Sequence, residues 1–295
     1  MASKYLLYLG CLIPYRELSY EISARRVLAE LGVELAEMPD FNCCGFPIDG
    51  ISHEAALLLA ARNLAIAERE GLDMLTLCNG CYATLHHTAL ELQEDPELMA
   101  WANGHLARLG LEFTGRVHVK HIVHVLLEDV GLERLKEAVV NPLDKLVVAQ
   151  HTGCHLVRPA KTMKFDDPDR PQRLRELIAI TGARCVNYPD EGQCCGGPIL
   201  GVNAEQARSL VADKLRRVKA AGAQALITVC PDCHFMYDFN QPVAEKQVGE
   251  KFSIPVLHYT QLLGLAMGIK PEELAFDMLR VKADGLLEAV GLAKK

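Results

Sequence analysis

Eleven cysteines occur in the chain, and ten of them repeat one pattern twice. In the first half, Y-L-G-C ends at Cys11, N-C-C-G-F-P-I-D-G holds Cys43 and Cys44, and L-T-L-C-N-G-C-Y holds Cys78 and Cys81. In the second half, H-T-G-C ends at Cys154, Q-C-C-G-G-P-I-L-G holds Cys194 and Cys195, and I-T-V-C-P-D-C-H holds Cys230 and Cys233. The separations agree as well. Between Cys11 and Cys43 lie 31 residues against 39 between Cys154 and Cys194, and 33 separate Cys44 from Cys78 against 34 from Cys195 to Cys230. Cys185 stands outside both sets.

A Cys-x-x-Cys turn lets two thiolates converge on one metal or cluster edge. A single such turn near a βαβ pattern equally suits a thioredoxin-type dithiol. Two of them, each with three further cysteines at matching places, favour metal chemistry, which is also what clustered thiols signify in a reducing compartment. Structural zinc takes four ligands and a cubane [4Fe–4S] cluster takes four thiolates. Five thiols per half therefore leave one spare, or address a cluster with more iron positions. Adjacent cysteines cannot both aim at one tetrahedral ion without strain, whereas two neighbouring irons can take one sulfur each. Gly45 and Gly196, lacking Cβ, suit a close approach of backbone to such a cluster, and Pro47 and Pro198 stiffen the turns.

The segments between the motifs must position these thiols, and they follow one plan. Apolar runs K-Y-L-L-Y-L and K-L-V-V-A read as buried strands that each deliver a Gly-Cys. Helical segments follow (residues 19–32 and 170–182), then short strands V-E-L-A-E and R-C-V-N-Y leading into the Cys-Cys-Gly turns. Long amphipathic helices (53–71 and 203–222) precede strands D-M-L-T-L and A-L-I-T-V, which end at Cys-x-x-Cys. Alternation of this kind gives an α/β fold: two pseudo-symmetric Rossmann-like domains with parallel sheets, from an internal duplication. Every cysteine pair then sits at the carboxyl end of a strand, where open α/β sheets bind ligands. The boundary falls at N-P-L-D, giving domains 1–142 and 143–295. Residues 95–110, with Trp101, form an extra helix, and the last twenty-five residues read as a helical tail.

A net charge of −7 and the lack of a Lys/Arg-rich block exclude a nucleic-acid binder. No run approaches eighteen apolar residues and the N-terminus has no signal-peptide h-region, so the expectation is a soluble, cytoplasmic protein without direct membrane insertion. No G-x-G-x-x-G follows a strand, so neither flavin nor nicotinamide is expected on this chain.

His121 and His258 recur at equivalent places and suit support of a cluster from behind its ligands. His155 and His234 each follow a cysteine of the second set and are proton-donor candidates, although their counterparts, Leu12 and Tyr82, cannot share the role. Arg16, Arg158, Lys161, Lys164 and Arg170 gather near strand ends and could meet an anionic thiol substrate, but such loop charges are ordinarily solvated. Arg62, Arg69, Arg208 and Lys214 read as polar helix faces. Cys185, in an apolar strand, reads as a buried, inert thiol.

The two intact Cys…Cys-Cys-Gly…Cys-x-x-Cys copies, with connecting phrases G-C-H, F-D-D-P-D-R-P and Q-L-L-G-L-A-M-G, resemble the CCG-domain family, most closely its branch of heterodisulfide reductase B subunits. The resemblance implies two noncubane [4Fe–4S] clusters facing each other across a pseudo-twofold interface where a disulfide such as CoM-S-S-CoB is split or formed. It implies Cys11, Cys43, Cys44, Cys78 and Cys81 as ligands of the first cluster, and Cys154, Cys194, Cys195, Cys230 and Cys233 of the second. It also implies partners: a small ferredoxin-like protein with cubane [4Fe–4S] clusters, and often a flavin-containing protein fed by hydrogenase, formate dehydrogenase or another donor enzyme. Two alternatives stand beside this. One is a related bacterial electron-transfer or sulfur-oxidising complex with another thiol or sulfur substrate. The other is a relay module with zinc in one half.

Overall fold

A computed structural model describes residues 3–292. The first half builds a four-stranded parallel sheet in the order β2-β1-β3-β4, from β1 (Lys4–Tyr8), β2 (Glu34–Ala36), β3 (Met74–Thr76) and β4 (Val119–His121). Between them run helices α1 (Leu18–Glu30), α2 (His53–Glu70), α3 (Asn79–Glu94) and α4 (Pro96–Leu106). The second half repeats the order as β6-β5-β7-β8, from β5 (Val147–His151), β6 (Arg184–Val186), β7 (Ala225–Thr228) and β8 (Val256–His258). Its principal helices are α5 (Arg173–Ile180), α6 (Ala204–Ala220), α7 (Gln241–Val248) and α8 (Tyr259–Ala266). All pairings are parallel, as the two Rossmann-like domains require.

The strand order fixes where the chemistry goes. In each sheet the chain leaves the first strand toward one edge, then returns to its other side. The switch point therefore lies between β1 and β3, and between β5 and β7, and the crevice beyond their carboxyl ends is the natural binding site. Cys11 and Cys78 follow the first pair of strands, Cys154 and Cys230 the second.

Helix ends obey local chemistry. α2 starts where Ser52 Oγ accepts from the Ala55 N–H at 3.3 Å and stops at Gly71, whose φ of +68° suits a residue without Cβ. Its apolar face, Ala56, Leu57, Ala60, Ala61 and Leu64, is buried. α6 starts on the Asn203 side chain, which accepts from the Gln206 N–H at 3.0 Å. One large apolar core runs through both halves, taking in Leu143, Leu146 and Leu287 along with the first sheet.

Three expectations need correction. β5 runs on through Gln150 and His151, both buried, because Gln150 Nε2 reaches the Pro171 carbonyl at 2.8 Å and so can enter the core. The C-terminal segment is not a helical tail. Short turns at Pro271–Leu274 and Phe276–Met278 precede a brief helix, Asp284–Ala289, and Ala275 between the turns has φ +56°. Residues 293–295 of that expected tail lie outside the described residues. Lys214 is not on a polar face: it is fully buried on α6, with Nζ donating to the Asp190 and Glu191 carbonyls at 2.6 and 2.8 Å.

Among the described residues no helix is long and apolar enough to cross a membrane.

Candidate functional site: two thiol sets joined end to end

None of the eleven cysteines is in a disulfide. The ten motif cysteines form one unbroken run of side-chain contacts. Cys11 touches Cys43, Cys43 touches Cys44, Cys44 touches Cys81, and Cys81 touches Cys78. Cys78 then meets Cys230 of the other half, and the run continues through Cys233, Cys195 and Cys194 to Cys154. The five-thiol sets are thus intact and meet at the first cysteines of the two Cys-x-x-Cys turns.

Proton sharing along the run sorts the thiols. Cys43 is held down to about 2 by the thiols of Cys11 and Cys44, with help from the Gly45 and Cys44 N–H groups. Cys194 is likewise held at about 2, by Cys154 and Cys195 first. Cys81 falls to about 5 through Cys44 and Cys78. Cys230 is held well below the usual thiol range by Cys233 and Cys78. Cys11, Cys44 and Cys154 are pushed up by donating to Cys43, Cys81 or Cys194 and by burial, Cys78 by donating to Cys230 and Cys81, and Cys233 by donating to Cys195 and Cys230. Cys78 also caps α3: its Sγ accepts from the Cys81 N–H at 3.5 Å, at a helix end that favours negative charge. Cys11 is exposed and Cys154 half-buried, whereas Cys44, Cys78, Cys81, Cys195, Cys230 and Cys233 are buried.

The loops that aim the paired cysteines are anchored by two side chains at matching helix positions. In the first half Asn63 of α2 accepts from the Asn42 N–H at 3.0 Å and donates to the Cys43 carbonyl at 3.2 Å. In the second, Lys214 holds residues 190 and 191 ahead of Cys194. Burial lowers its pKa to about 8, and nearby Glu191 and Cys233 oppose that fall.

Gly45 and Gly196 have φ +96° and +84°, but what a Cβ would strike is the helix behind them: Ala56 O at 2.6 Å and Ala207 O at 3.0 Å. They let the loop pack on α2 and α6 rather than making room at the thiols, which corrects the sequence expectation. The glycine that does crowd a thiol is Gly10, at φ +67°, where a Cβ would sit 2.7 Å from Cys81 Sγ. Gly10→Ala is therefore expected to cost at least the ~1–2 kcal/mol of a left-handed non-glycine residue. Thermal unfolding should show this, and an unchanged midpoint would refute the packing argument.

His155 keeps its place at the thiols: Nδ1 lies 3.5 Å from Cys154 Sγ, and the ring edge meets Phe46 of the first half at 4.9 Å. His234 does not. Its Nδ1 pairs with Glu17 at 2.7 Å and its Nε2 is 3.0 Å from the Val256 carbonyl, so neither nitrogen is free for a thiol. His258 Nε2 reaches the same Glu17 oxygen at 3.2 Å, and its ring is stacked between Tyr20 and His234. Glu17 was not singled out in the sequence, yet it ties the start of α1 in the first half to two histidines of the second. His121 is buried with Nε2 unpartnered, and burial lowers its pKa to about 4. His151, equally unmarked by the motifs, lies buried beside Cys230 and Cys194 with no partner on either nitrogen.

The basic residues do not form one patch. Arg16 lies over Tyr15 and Phe239, at 4.7 and 5.8 Å from their ring centres. Arg158 donates to the Gly192 and Pro168 carbonyls and, with Arg170, lines a cleft of about 1150 Å³. Cys185 also lines that cleft, and burial raises its pKa to about 11.

Soft thiolates in two closed sets, a bare glycine against Cys81, and a buried imidazole with unused nitrogens beside the second set are a donor environment suited to iron–sulfur clusters. The comparisons agree with this geometry. A family model described as "CCG: Cysteine-rich domain" matches residues 5–86 and 148–238, and the chain belongs to that family. Within it, the chain is 38% identical over 279 residues to the B subunit of the ferredoxin/F420H2-dependent CoB-CoM heterodisulfide reductase of Methanosarcina acetivorans, covering 93% of both chains. A protein of Archaeoglobus profundus named as like the heterodisulfide reductase B subunit is 36% identical, over 92% of this chain and 93% of its own. The membrane anchor subunit of 8-methylmenaquinol:fumarate reductase from Wolinella succinogenes is 30% identical, over 94% and 96%. A crystal structure of a hypothetical protein from Helicobacter pylori shares the fold, with a TM-score of 0.76 at 18% identity, over 95% of this chain and 52% of that one.

Proposed function

We propose that this chain is the iron–sulfur component on which a cytoplasmic heterodisulfide reductase-type complex splits or forms a disulfide of the CoM-S-S-CoB kind. In this reading residues 1–142 and 143–295 each hold one noncubane [4Fe–4S] cluster. Cys11, Cys43, Cys44, Cys78 and Cys81 bind the first, and Cys154, Cys194, Cys195, Cys230 and Cys233 the second. One observation carries it: the ten thiols form a single run whose midpoint, Cys78 against Cys230, lies where the halves meet. The names of the relatives supply the class of substrate.

When bound, such clusters supply one-electron storage and iron sites that can take a sulfur, which suits a two-electron cleavage that must avoid a free thiyl radical. The protein supplies the rest. Asn63 and Lys214 orient the loops of the paired cysteines, and Cys44 and Cys195, the second of each pair, are buried. His155 Nδ1 can hold a proton at the half-buried edge of the second set, where a leaving thiolate would need one. On the first set, Asp232 Oδ2 is 3.6 Å from Cys78 Sγ and the exposed Cys11 borders the same small cavity, so a thiol can reach this set from solvent.

Electrons then arrive from partners: a ferredoxin-like protein with cubane [4Fe–4S] clusters, and a flavin-containing protein with its donor enzyme. A second reading is favoured by the full-length likeness to the fumarate reductase component: the same scaffold in an electron-transfer or sulfur-oxidising complex with another substrate. Anaerobic protein in the oxidised state, titrated with coenzyme M or coenzyme B thiol, separates the two. The first reading predicts a changed EPR signal with one of the thiols; no response to either favours the second.

A further inference from the structure

Cys11 is the one exposed thiol of the ten, and the surface that follows it is built from both halves. The chain leaves Cys11 into a short helical turn, Ile13–Arg16, that carries Tyr15 and Arg16. From the second half comes the helical turn Phe235–Phe239, just after Cys233. The Arg16 guanidinium lies over both the Tyr15 and the Phe239 ring, 4.7 and 5.8 Å from their centres, so the two turns share one surface. Arg280 covers Phe239 as well, at 6.0 Å. Tyr15 is 75% exposed and Phe239 46%, although a Phe ring ordinarily goes inside.

Neither guanidinium has a carboxylate partner among the described residues, and the acids beside them in the chain are committed elsewhere. Glu17, next to Arg16, is buried against His234 and His258. Asp238, next to Phe239, is buried and accepts from the backbone N–H groups of Arg280 and Val281, at 2.7 and 2.9 Å. That pairing fastens Arg280 beside Phe239 while leaving its side-chain charge unspent. A chain of net charge −7 thus turns two unneutralised cations outward, each laid on an exposed ring. Tyr, Phe and Arg gathered at a surface are the composition of a protein interface. The small cavity at Cys11 takes in none of these four side chains, so they form an outer face apart from the space a thiol would enter.

Resting on the two-cluster reading above, we propose that Tyr15, Arg16, Phe239 and Arg280 dock a one-electron carrier protein with an acidic face, which passes electrons in through the first set at Cys11. Like charge keeps such a carrier off most of a net-negative surface, and the two cations mark where it lands. The rings add apolar contact area around them. Cys11 is the outermost ligand, so the first site is the one a docked carrier comes nearest. No bond forms or breaks in the transfer: the carrier is oxidised by one electron and the first site is reduced by it.

The test is anaerobic stopped-flow reduction of the full chain, both sites loaded, by two reductants of opposite charge: a reduced acidic ferredoxin and the reduced methyl viologen cation. Wild type should react with ferredoxin at a rate that falls as salt is added. Arg16→Glu combined with Arg280→Glu should slow that reaction by about tenfold or more at low salt, the scale of electrostatic steering, and should not slow the viologen. Tyr15→Ala combined with Phe239→Ala should weaken ferredoxin binding by about tenfold, as loss of interface anchors does. Arg16→Lys combined with Arg280→Lys keeps both charges and should retain most of the wild-type rate. An unmoved ferredoxin rate in the double Glu variant, equal slowing with viologen, or a wild type reduced by viologen but not by ferredoxin would each overturn this inference alone. So would a double Glu variant that loses only its EPR response to coenzyme M thiol, which would give the face to the anionic end of the substrate. A wild-type chain that takes up no iron overturns the underlying reading, and this inference with it.

Discussion

Cys44→Ser is expected to remove about half of the iron, roughly four of eight atoms per chain if each half holds a four-iron cluster, while the fold stays intact. The expectation follows from where the thiol sits. Cys44 is 2% exposed and bridges Cys43 to Cys81, so its sulfur is the link between the paired cysteines and the Cys-x-x-Cys turn. A serine oxygen is a hard, short donor that cannot replace a thiolate in that link. Serine nearly matches cysteine in size and can use its hydroxyl among the neighbouring thiols, so circular dichroism and solubility should not change. Cys195→Ser should give the complementary loss in the second half. Iron analysis at wild-type level in either variant would show that the second cysteine of the pair is not a ligand.

Glu17→Ala should cost roughly 3–5 kcal/mol, the penalty for leaving a buried charge without its partner. Burial alone would raise the Glu17 carboxyl, but His234 and His258 hold it down to about 2. Burial would lower His234, yet Glu17 lifts it above its usual value. The pH dependence follows from these directions. The depressed carboxyl stabilises the fold above its unfolded value near 4.3, and that contribution is lost as pH falls through about 2. The raised imidazole stabilises it fully below about 6.5, and that contribution is lost as pH climbs through its folded value. The gap in unfolding free energy between wild type and Glu17→Ala should therefore be widest between about pH 4.3 and 6.5. A gap below about 1 kcal/mol in that window would contradict the buried pair.

Much of this was legible in the cysteine spacing alone, because a ligand set must keep its order and a duplication states it twice. The parallel strands were legible too, since short apolar runs before each Gly-Cys or Cys-x-x-Cys have few other places to go. What escaped was whatever depends on contacts between distant segments. Glu17 looks like a solvated charge in P-Y-R-E-L until His234 and His258 arrive from the other half. Lys214 sits in a charged stretch, K-L-R-R, and only the packing of α6 shows that its ammonium serves the carbonyls of Asp190 and Glu191. Gly45 follows the paired thiols in sequence, yet its missing Cβ is required by Ala56 of the helix behind it. The C-terminal segment misled because its apolar residues fit a helical period, while Pro271 and the left-handed Ala275 break it into short turns.

The central claim, two four-iron clusters on ten cysteines, is tested most directly by metal analysis of anaerobically purified wild-type protein. About eight irons per chain with matching acid-labile sulfide, and no stoichiometric zinc, is the predicted result. One zinc per chain with iron near half that level would contradict it.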